Sequence, residues 1–292
     1  SGSNWYHQRI LIANFRGTPF PKDFVVKLGT HVVAFDDNLE LLWHYESKWS
    51  EYKHCPAYIP SVGDIDGDGC DEINGGYFLL DQDGSVMWEH PFARNMDSVA
   101  IAPWDDDKMR AVCSGYGMVI GADGEIVLCL GRDIVPHGQE MRCARFTRAA
   151  RKNQMVIRRY GHKPDVILVD NDGSIIREFT VNSSPNETGM TDIYWNGPDK
   201  PALLYNGGML WDAGEGREYL RFPGLPDPSG PARMGWYHCI PADVCGDFRE
   251  EAVLYNPWDS HIYIYTQDPL KSDSAVPHYR ATPRQYNVRL MD

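Results

Sequence analysis

Tyr58-Ile59-Pro60-Ser61-Val62-Gly63, an acidic loop, Glu72-Ile73-Asn74-Gly75-Gly76-Tyr77-Phe78-Leu79-Leu80, the turn Asp81-Gln82-Asp83-Gly84 and Ser85-Val86-Met87-Trp88 decide the reading of this 292-residue chain. The apolar runs are too short for helices. They are rich in β-branched and aromatic residues, which suit the pleated surface of a strand. Asp-Gly supplies the positive φ that a short hairpin loop needs, so Asp83-Gly84 predicts a tight turn into the last strand. The unit is therefore a short antiparallel meander.

Its relatives run along the whole chain. Val32-Val33-Ala34-Phe35 precedes Asp36-Asp37 and Leu41-Leu42-Trp43 follows; Met118-Val119-Ile120 precedes Asp123-Gly124; Val166-Ile167-Leu168-Val169 precedes Asp172-Gly173. With Asp212 and Asp259, where Ile262-Tyr263-Ile264-Tyr265 reads as the outer strand of the last repeat, the turns recur at roughly 40 to 50 residues, the period of a propeller blade. No segment shows a helical apolar period. The expectation is an all-β protein, a β-propeller of six to eight four-stranded blades with about six repeats visible; two β-sandwiches are the competing architecture. Ser1-Gly2-Ser3 reads as a cloning scar and residues 4–292 as a single propeller domain, because no Ser-rich, Pro-rich or charged linker interrupts the repeats.

The formal charge of −13 argues against nucleic-acid binding, whose affinity comes largely from Lys and Arg on phosphates. It also disfavours an anionic membrane surface, and no run of about 20 apolar residues exists to insert in one. The 7 cysteines contain no Cys-x-x-Cys pair and no evident disulfide framework.

Asp64-Ile65-Asp66-Gly67-Asp68-Gly69-Cys70-Asp71-Glu72 is the strongest local motif. Carboxylates at alternate positions around a glycine that permits a sharp turn wrap a hard cation with oxygen ligands. Asp64, Asp66, Asp68, Asp71 and Glu72 are the candidate ligands and calcium the candidate ion, in a structural role. An acidic turn held by its own hydrogen bonds is the plainer reading. Asp243 to Glu251 is a degenerate copy in which Arg249 predicts an ion pair in place of the metal. Trp104-Asp105-Asp106-Asp107-Lys108 carries an internal Lys and predicts a metal-free loop. His238 with Cys239 and Cys245 makes zinc a second, weaker candidate, since the spacing is not a standard ligand pattern.

His7, His54, His137 and His238 each precede the first strand of a repeat, which predicts that they converge at one mouth of a channel, a setting for proton transfer. Arg142, Arg158, Arg159, Tyr160 and His162 crowd the fourth repeat, a candidate electropositive site for a carboxylate-bearing substrate. Arg158 reads as a solvent-facing strand residue. Alternation puts Arg159 and Tyr160 on opposite faces, unless the strand ends there, as Gly161 suggests.

Three stretches carry a resemblance: Ala242-Asp243-Val244-Cys245-Gly246-Asp247-Phe248-Arg249-Glu250-Glu251, the Asp64–Glu72 loop, and Pro283-Arg284-Gln285-Tyr286-Asn287-Val288-Arg289-Leu290-Met291-Asp292. The chain resembles the β-propeller polysaccharide lyases, the group of rhamnogalacturonan and ulvan lyases, from Asn14-Phe15-Arg16-Gly17-Thr18-Pro19 onward. The resemblance implies a secreted or periplasmic enzyme that cleaves an anionic, uronate- and rhamnose-containing polysaccharide by β-elimination. It implies His137 or His238 as base, Tyr160 as acid, and Arg159 or Arg142 as neutraliser of the uronate carboxylate. Asn95, Arg142, His162, Trp236 and Tyr237 are the candidate substrate-binding residues. The chain departs from the group in being shorter and in carrying Arg94-Asn95 where a histidine is expected before Met96-Asp97-Ser98-Val99. A noncatalytic carbohydrate- or protein-binding propeller, with aromatics stacking on sugars, is the main alternative; glycoside hydrolysis, which needs two carboxyls across the scissile bond, is a second and ranks below elimination.

Overall fold

The computed structural model describes residues 9–48, 51–52, 56–92, 94–105, 108–183, 188–229 and 235–268. His7, His54, Cys55, Asp106, Asp107 and the 283–292 stretch lie outside them. Two compact units divide the chain, with the boundary after Met141.

The first unit holds three antiparallel meanders. They are β1 (Arg9–Ala13), β2 (Asp23–Leu28), β3 (His31–Phe35) and β4 (Leu41–Glu46); β5 (Ser61–Gly63), β6 (Glu72–Asn74), β7 (Phe78–Leu80) and β8 (Val86–Glu89); and β9 (Val99–Asp105), β10 (Lys108–Cys113), β11 (Met118–Ile120) and β12 (Ile126–Cys129). The second unit holds β13 (Glu140–Ala144), β14 (Gln154–Arg158), β15 (Asp165–Val169) and β16 (Ile175–Thr180); β17 (Thr191–Ile193), β18 (Leu203–Asn206), β19 (Met209–Asp212) and β20 (Arg217–Arg221); and a three-stranded sheet of β21 (His238–Ala242), β22 (Glu251–Tyr255) and β23 (Ile262–Tyr265). The unit boundary falls inside β13. Each meander is a blade in strand order, the fold is all-β and of the β-propeller class, and no α-helix occurs among the described residues.

The turn chemistry explains the repeat. In the first four blades, the third and fourth strands join through a turn in which the fourth turn residue donates its N–H back to the first: Leu39 to Asp36, Gly84 to Asp81, Gly124 to Gly121 and Gly173 to Asp170. That residue lies in the left-handed region, at φ 67° for Leu39 and 82° for Gly84, and the register shifts beside it, at Ala34/Phe35 and Leu79/Leu80. This is the bulged hairpin for which glycine is the unstrained choice. Asp259 is not equivalent to the others: it sits between β22 and β23, the second and third strands of the last sheet. Ile262–Tyr265 is the third strand of this sheet and its edge among the described residues.

Two of these turns also dock a neighbouring blade. Trp43 on β4 donates Nε1–H to Gln82 O at 2.6 Å, and Trp88 on β8 does so to Gly121 O at 3.1 Å. A Cβ on Gly84 would stand 2.8 Å from the Trp43 ring, so glycine is required for contact as well as for φ. The repeated tryptophans therefore tie one blade to the next.

A second rule governs the loop between first and second strands. The residue opening the second strand is a buried acceptor: Asp23 takes Arg16 N, Glu72 takes Ile65 N, Gln154 takes Phe146 N and Thr147 N, and Glu251 takes Val244 N and Cys245 N. All four are at most 1% exposed. Buried backbone N–H groups need partners, and these side chains supply them where the ladder cannot.

Candidate active site and metal centre

The acidic loop of the second blade brings ligand atoms of Asp64, Asp66 and Glu72 within 4.8 Å of one another, the one such gathering of three among the described residues. Asp64 accepts Gly67 N at 2.6 Å and Gly69 N at 3.1 Å; Asp66 and Asp68 accept Asp68 N and Cys70 N. Gly67 and Gly69 take φ of 85° and 92°, left-handed values that let the loop turn sharply around the three carboxylates. Asp68 lies outside the triad. Asp71 is turned away, its Oδ2 accepting Asn14 N at 2.7 Å, so of the five sequence candidates three converge.

The degenerate copy provides the control. Asp243 accepts Gly246 N and Phe248 N, as Asp64 accepts Gly67 N and Gly69 N, and Glu251 stands where Glu72 does. There Arg249 pairs with Asp247, as its sequence predicts, and Glu251 Oε1 accepts the Thr266 hydroxyl at 3.0 Å. Glu72 has no such neighbour: its Oε1 is fully buried without a hydrogen bond and the residue is 0% exposed. Burial, with Asp66, Asp68 and Asp64 adding repulsion, pushes its carboxyl up to about 8. An orphaned buried oxygen aimed among two other carboxylates fits a hard divalent cation. The zinc reading does not fit: His238 and Cys239 are consecutive on β21 and so point to opposite faces, and Cys245 is exposed with Sγ at 3.8 Å from Thr266 Oγ1.

The second constellation forms around His137. Its Nε2 lies 3.1 Å from Asp97 Oδ2, with the His137 side chain 44% exposed and that of Asp97 4%. A carboxylate only accepts, so Nε2–H is the donor in this pair. The hydrogen bond to Asp97 raises the imidazole above its ordinary range, opposed by desolvation and by the Arg94 cation nearby. Arg94 stacks over the Tyr116 ring at 5.4 Å and donates to Pro136 O, and its own carbonyl accepts Tyr77 OH at 2.6 Å.

Local packing holds these groups. Met96 is fully buried between Gly76 and Gly115, where a Cβ would fall 2.7 Å from its Cβ and 2.6 Å from its Sδ. Ser98 and Ser114 exchange two hydrogen bonds, fixing the backbone on either side of Asp97. A Cβ on Gly138 would sit 1.8 Å from Ser114 O, so the loop carrying His137 approaches as only glycine allows. Tyr116 holds φ 59°, a conformation costly outside glycine and often retained at functional sites. Asp97, Arg94 and Tyr116 escaped the sequence reading, although Arg94 had marked itself as the residue standing in a histidine's place.

The basic cluster of the fourth blade is not one site. Arg158 is 0% exposed, not solvent-facing, because β14 is buried along its length; its Nη1 donates to Lys163 O and Ser183 O. Arg142 is 2% exposed on the equally buried β13, with Nε 3.9 Å from Asp192, so it cannot grip a polymer. β14 ends at Arg158 and Gly161 takes φ 61°, which frees Arg159 and Tyr160 from alternation. Arg159 pairs with Glu178 and lies over the Tyr160 ring at 4.8 Å; Tyr160 is 40% exposed and His162 is exposed. Asn95 adjoins Arg94. Trp236 is half-buried, and Tyr237 is 3% exposed with its hydroxyl on Asp259, which withdraws its ring from sugar stacking. His238 packs on Tyr255 at 5.5 Å.

Among solved structures, the chain superposes on a Bacillus licheniformis rhamnogalacturonan lyase PL11 with a TM-score of 0.69 at 22% identity, over 90% of this chain and 46% of that one. In fold, it is similar to rhamnogalacturonan lyases. The lyase YesW gives 0.69 at 21% identity over 90% and 46%, and the exotype lyase YesX gives 0.69 at 21% over 92% and 48%. The chain thus spans about half the length of the lyases it matches. No protein-family model matches it, and no curated protein matches its sequence significantly. No helix of the described residues is long and apolar enough to cross a membrane.

Proposed function

We propose that the chain is a secreted or periplasmic polysaccharide lyase that cleaves an anionic, uronate- and rhamnose-containing polysaccharide, of the rhamnogalacturonan or ulvan type, by β-elimination. The observation that carries this reading is the Asp97–His137 pair beside Arg94. Elimination removes the proton at C5 of a uronate, and the charge that develops spreads into its carboxylate. A guanidinium facing that carboxylate lowers the cost of the carbanion-like state. Arg94 takes that role here, since Arg142 is buried and Arg159 already has Glu178.

His137 acts as base through Nδ1, with Asp97 holding its tautomer and stabilising the imidazolium that forms. His238 is the alternative base. A phenol protonates the departing O4, with Tyr160 and Tyr116 as candidates, and Asn95, His162 and Trp236 contact the sugar chain. A calcium ion held by Asp64, Asp66 and Glu72 braces the second blade and takes no part in the chemistry. Residues 4–292 act as one propeller domain.

Proton NMR of the products of digestion tests the reading. A vinyl proton at C4 of a new non-reducing end is expected. Saturated ends would indicate hydrolysis, and binding without cleavage would indicate a carbohydrate-binding propeller; either would overturn it.

A further inference from the structure

The outermost strand of the first blade carries a feature that the proposed chemistry leaves unused. His31 on β3 and His44 on β4 bring Nδ1 and Nε2 to 2.9 Å, with ring centroids 5.0 Å apart and planes tilted by 36°. The strands are antiparallel, with His31 directly opposite Glu46 and Val33 opposite His44. Side chains two apart on a strand share a face. His44, Glu46 and His31 therefore stand together on one face, His44 and Glu46 exposed and His31 half-exposed. The neighbouring cation on that strand's continuation, Lys48, is engaged by Glu89 at 3.1 Å, and no hydrogen bond or ion pair to a described residue holds the Glu46 carboxylate.

Two solvent-accessible imidazoles, one exposed and one half-exposed, gain little from hydrogen-bonding each other, because water serves their nitrogens as well. Their spacing has a different significance. Two nitrogens each about 2.0–2.1 Å from one ion lie about 2.9 Å apart when they subtend a right angle, the cis arrangement of a tetragonal nitrogen and oxygen site. That geometry, with imidazole donors, suits divalent copper or nickel.

We propose that His31, His44 and Glu46 form a surface site for a divalent late-transition-metal ion, with the two imidazoles cis, the Glu46 carboxylate as third ligand after a change of rotamer, and water completing the shell. The proton now shared between the rings moves to the far nitrogen of its own ring, so neutral imidazoles bind without net proton loss. The ion ties β4, the last strand of its sheet, to β3. Its donors are nitrogen-rich, which separates it in chemistry from the all-oxygen Asp64 loop.

Copper(II) is the probe, added to the protein in excess calcium so that the oxygen loop is filled. Paramagnetic resonance should show one copper with two-nitrogen superhyperfine structure, and calorimetry one matching equivalent. His44→Asn and His31→Asn should each weaken binding by at least about tenfold and the double variant should remove the two-nitrogen signal. Glu46→Gln should cost several-fold, and Asp66→Asn nothing. Melting curves without copper confirm that the variants fold, which the exposure of the rings leads us to expect. Parent-like affinity and spectrum in the double variant, or an oxygen-only spectrum in the parent, would overturn the proposal.

Discussion

Removing the cation from the Asp64 loop should make stability fall as pH rises from about 5 to about 8. The Glu72 carboxyl has an ordinary value of 4.5 and is pushed up to about 8 in the fold. Below 4.5 it is protonated in both states and costs nothing. Between the two values the unfolded chain ionises it while the folded protein holds it neutral, so each step in pH favours unfolding; above 8 the loss is complete. At about 1.36 kcal/mol per pH unit, this amounts to about 4–5 kcal/mol for a side chain that is 0% exposed, or about 8–20 °C in Tm at about 2–4 °C per kcal/mol. Calcium at a hundredfold excess over its Kd should restore about 2.7 kcal/mol, and most at alkaline pH. The assay is thermal melting across pH in chelator and in calcium, with Glu72→Gln alongside to subtract every other titrating group. Parallel pH profiles for the parent and Glu72→Gln in chelator would refute the reasoning.

Three further outcomes follow from the same geometry. Asp97→Asn should lower kcat by about 10²–10⁴-fold and move the acidic limb of the kcat/KM profile to lower pH, because the residue that raises His137 is neutralised; an unmoved limb in the residual activity would detach Asp97 from the base. Tyr160→Phe and Tyr116→Phe, measured side by side with melting curves, should identify the acid as the one variant that loses turnover while keeping its fold, and full activity in both would remove the phenol from the mechanism. Arg249→Met should destabilise the last blade by about 2–4 kcal/mol through an uncompensated Asp247, with no dependence on calcium; equal melting with the parent would show that the ion pair does not replace a metal.

The blades were readable because their determinants are local. A turn that needs one residue at positive φ and a tryptophan that must reach the next turn leave marks within a few positions, as Gly84 and Trp43 do. Asp259 misled because the same turn chemistry serves a different pair of strands, and only pairing distinguishes them. The Arg249 ion pair was legible from a single substitution in a known loop, whereas the turning of Asp71 toward Asn14 depended on a partner 57 residues away. Arg158 was misassigned because alternation assumes one wet face, and β14 has none. Asp97 and His137 are 40 residues apart and share no motif; what brings them together is Met96 seated between two glycines and Gly138 pressed on Ser114, contacts that exist only in the folded blades.

The most direct test of the account is absorbance at roughly 235 nm, the band of a 4,5-unsaturated uronate, during incubation of the parent and of His137→Ala with rhamnogalacturonan, ulvan and other uronate polymers. The account predicts a steady rise for the parent with at least one polymer and none for the variant. A flat trace across the panel, with binding detected by calorimetry, or an equal rise in His137→Ala, would contradict it.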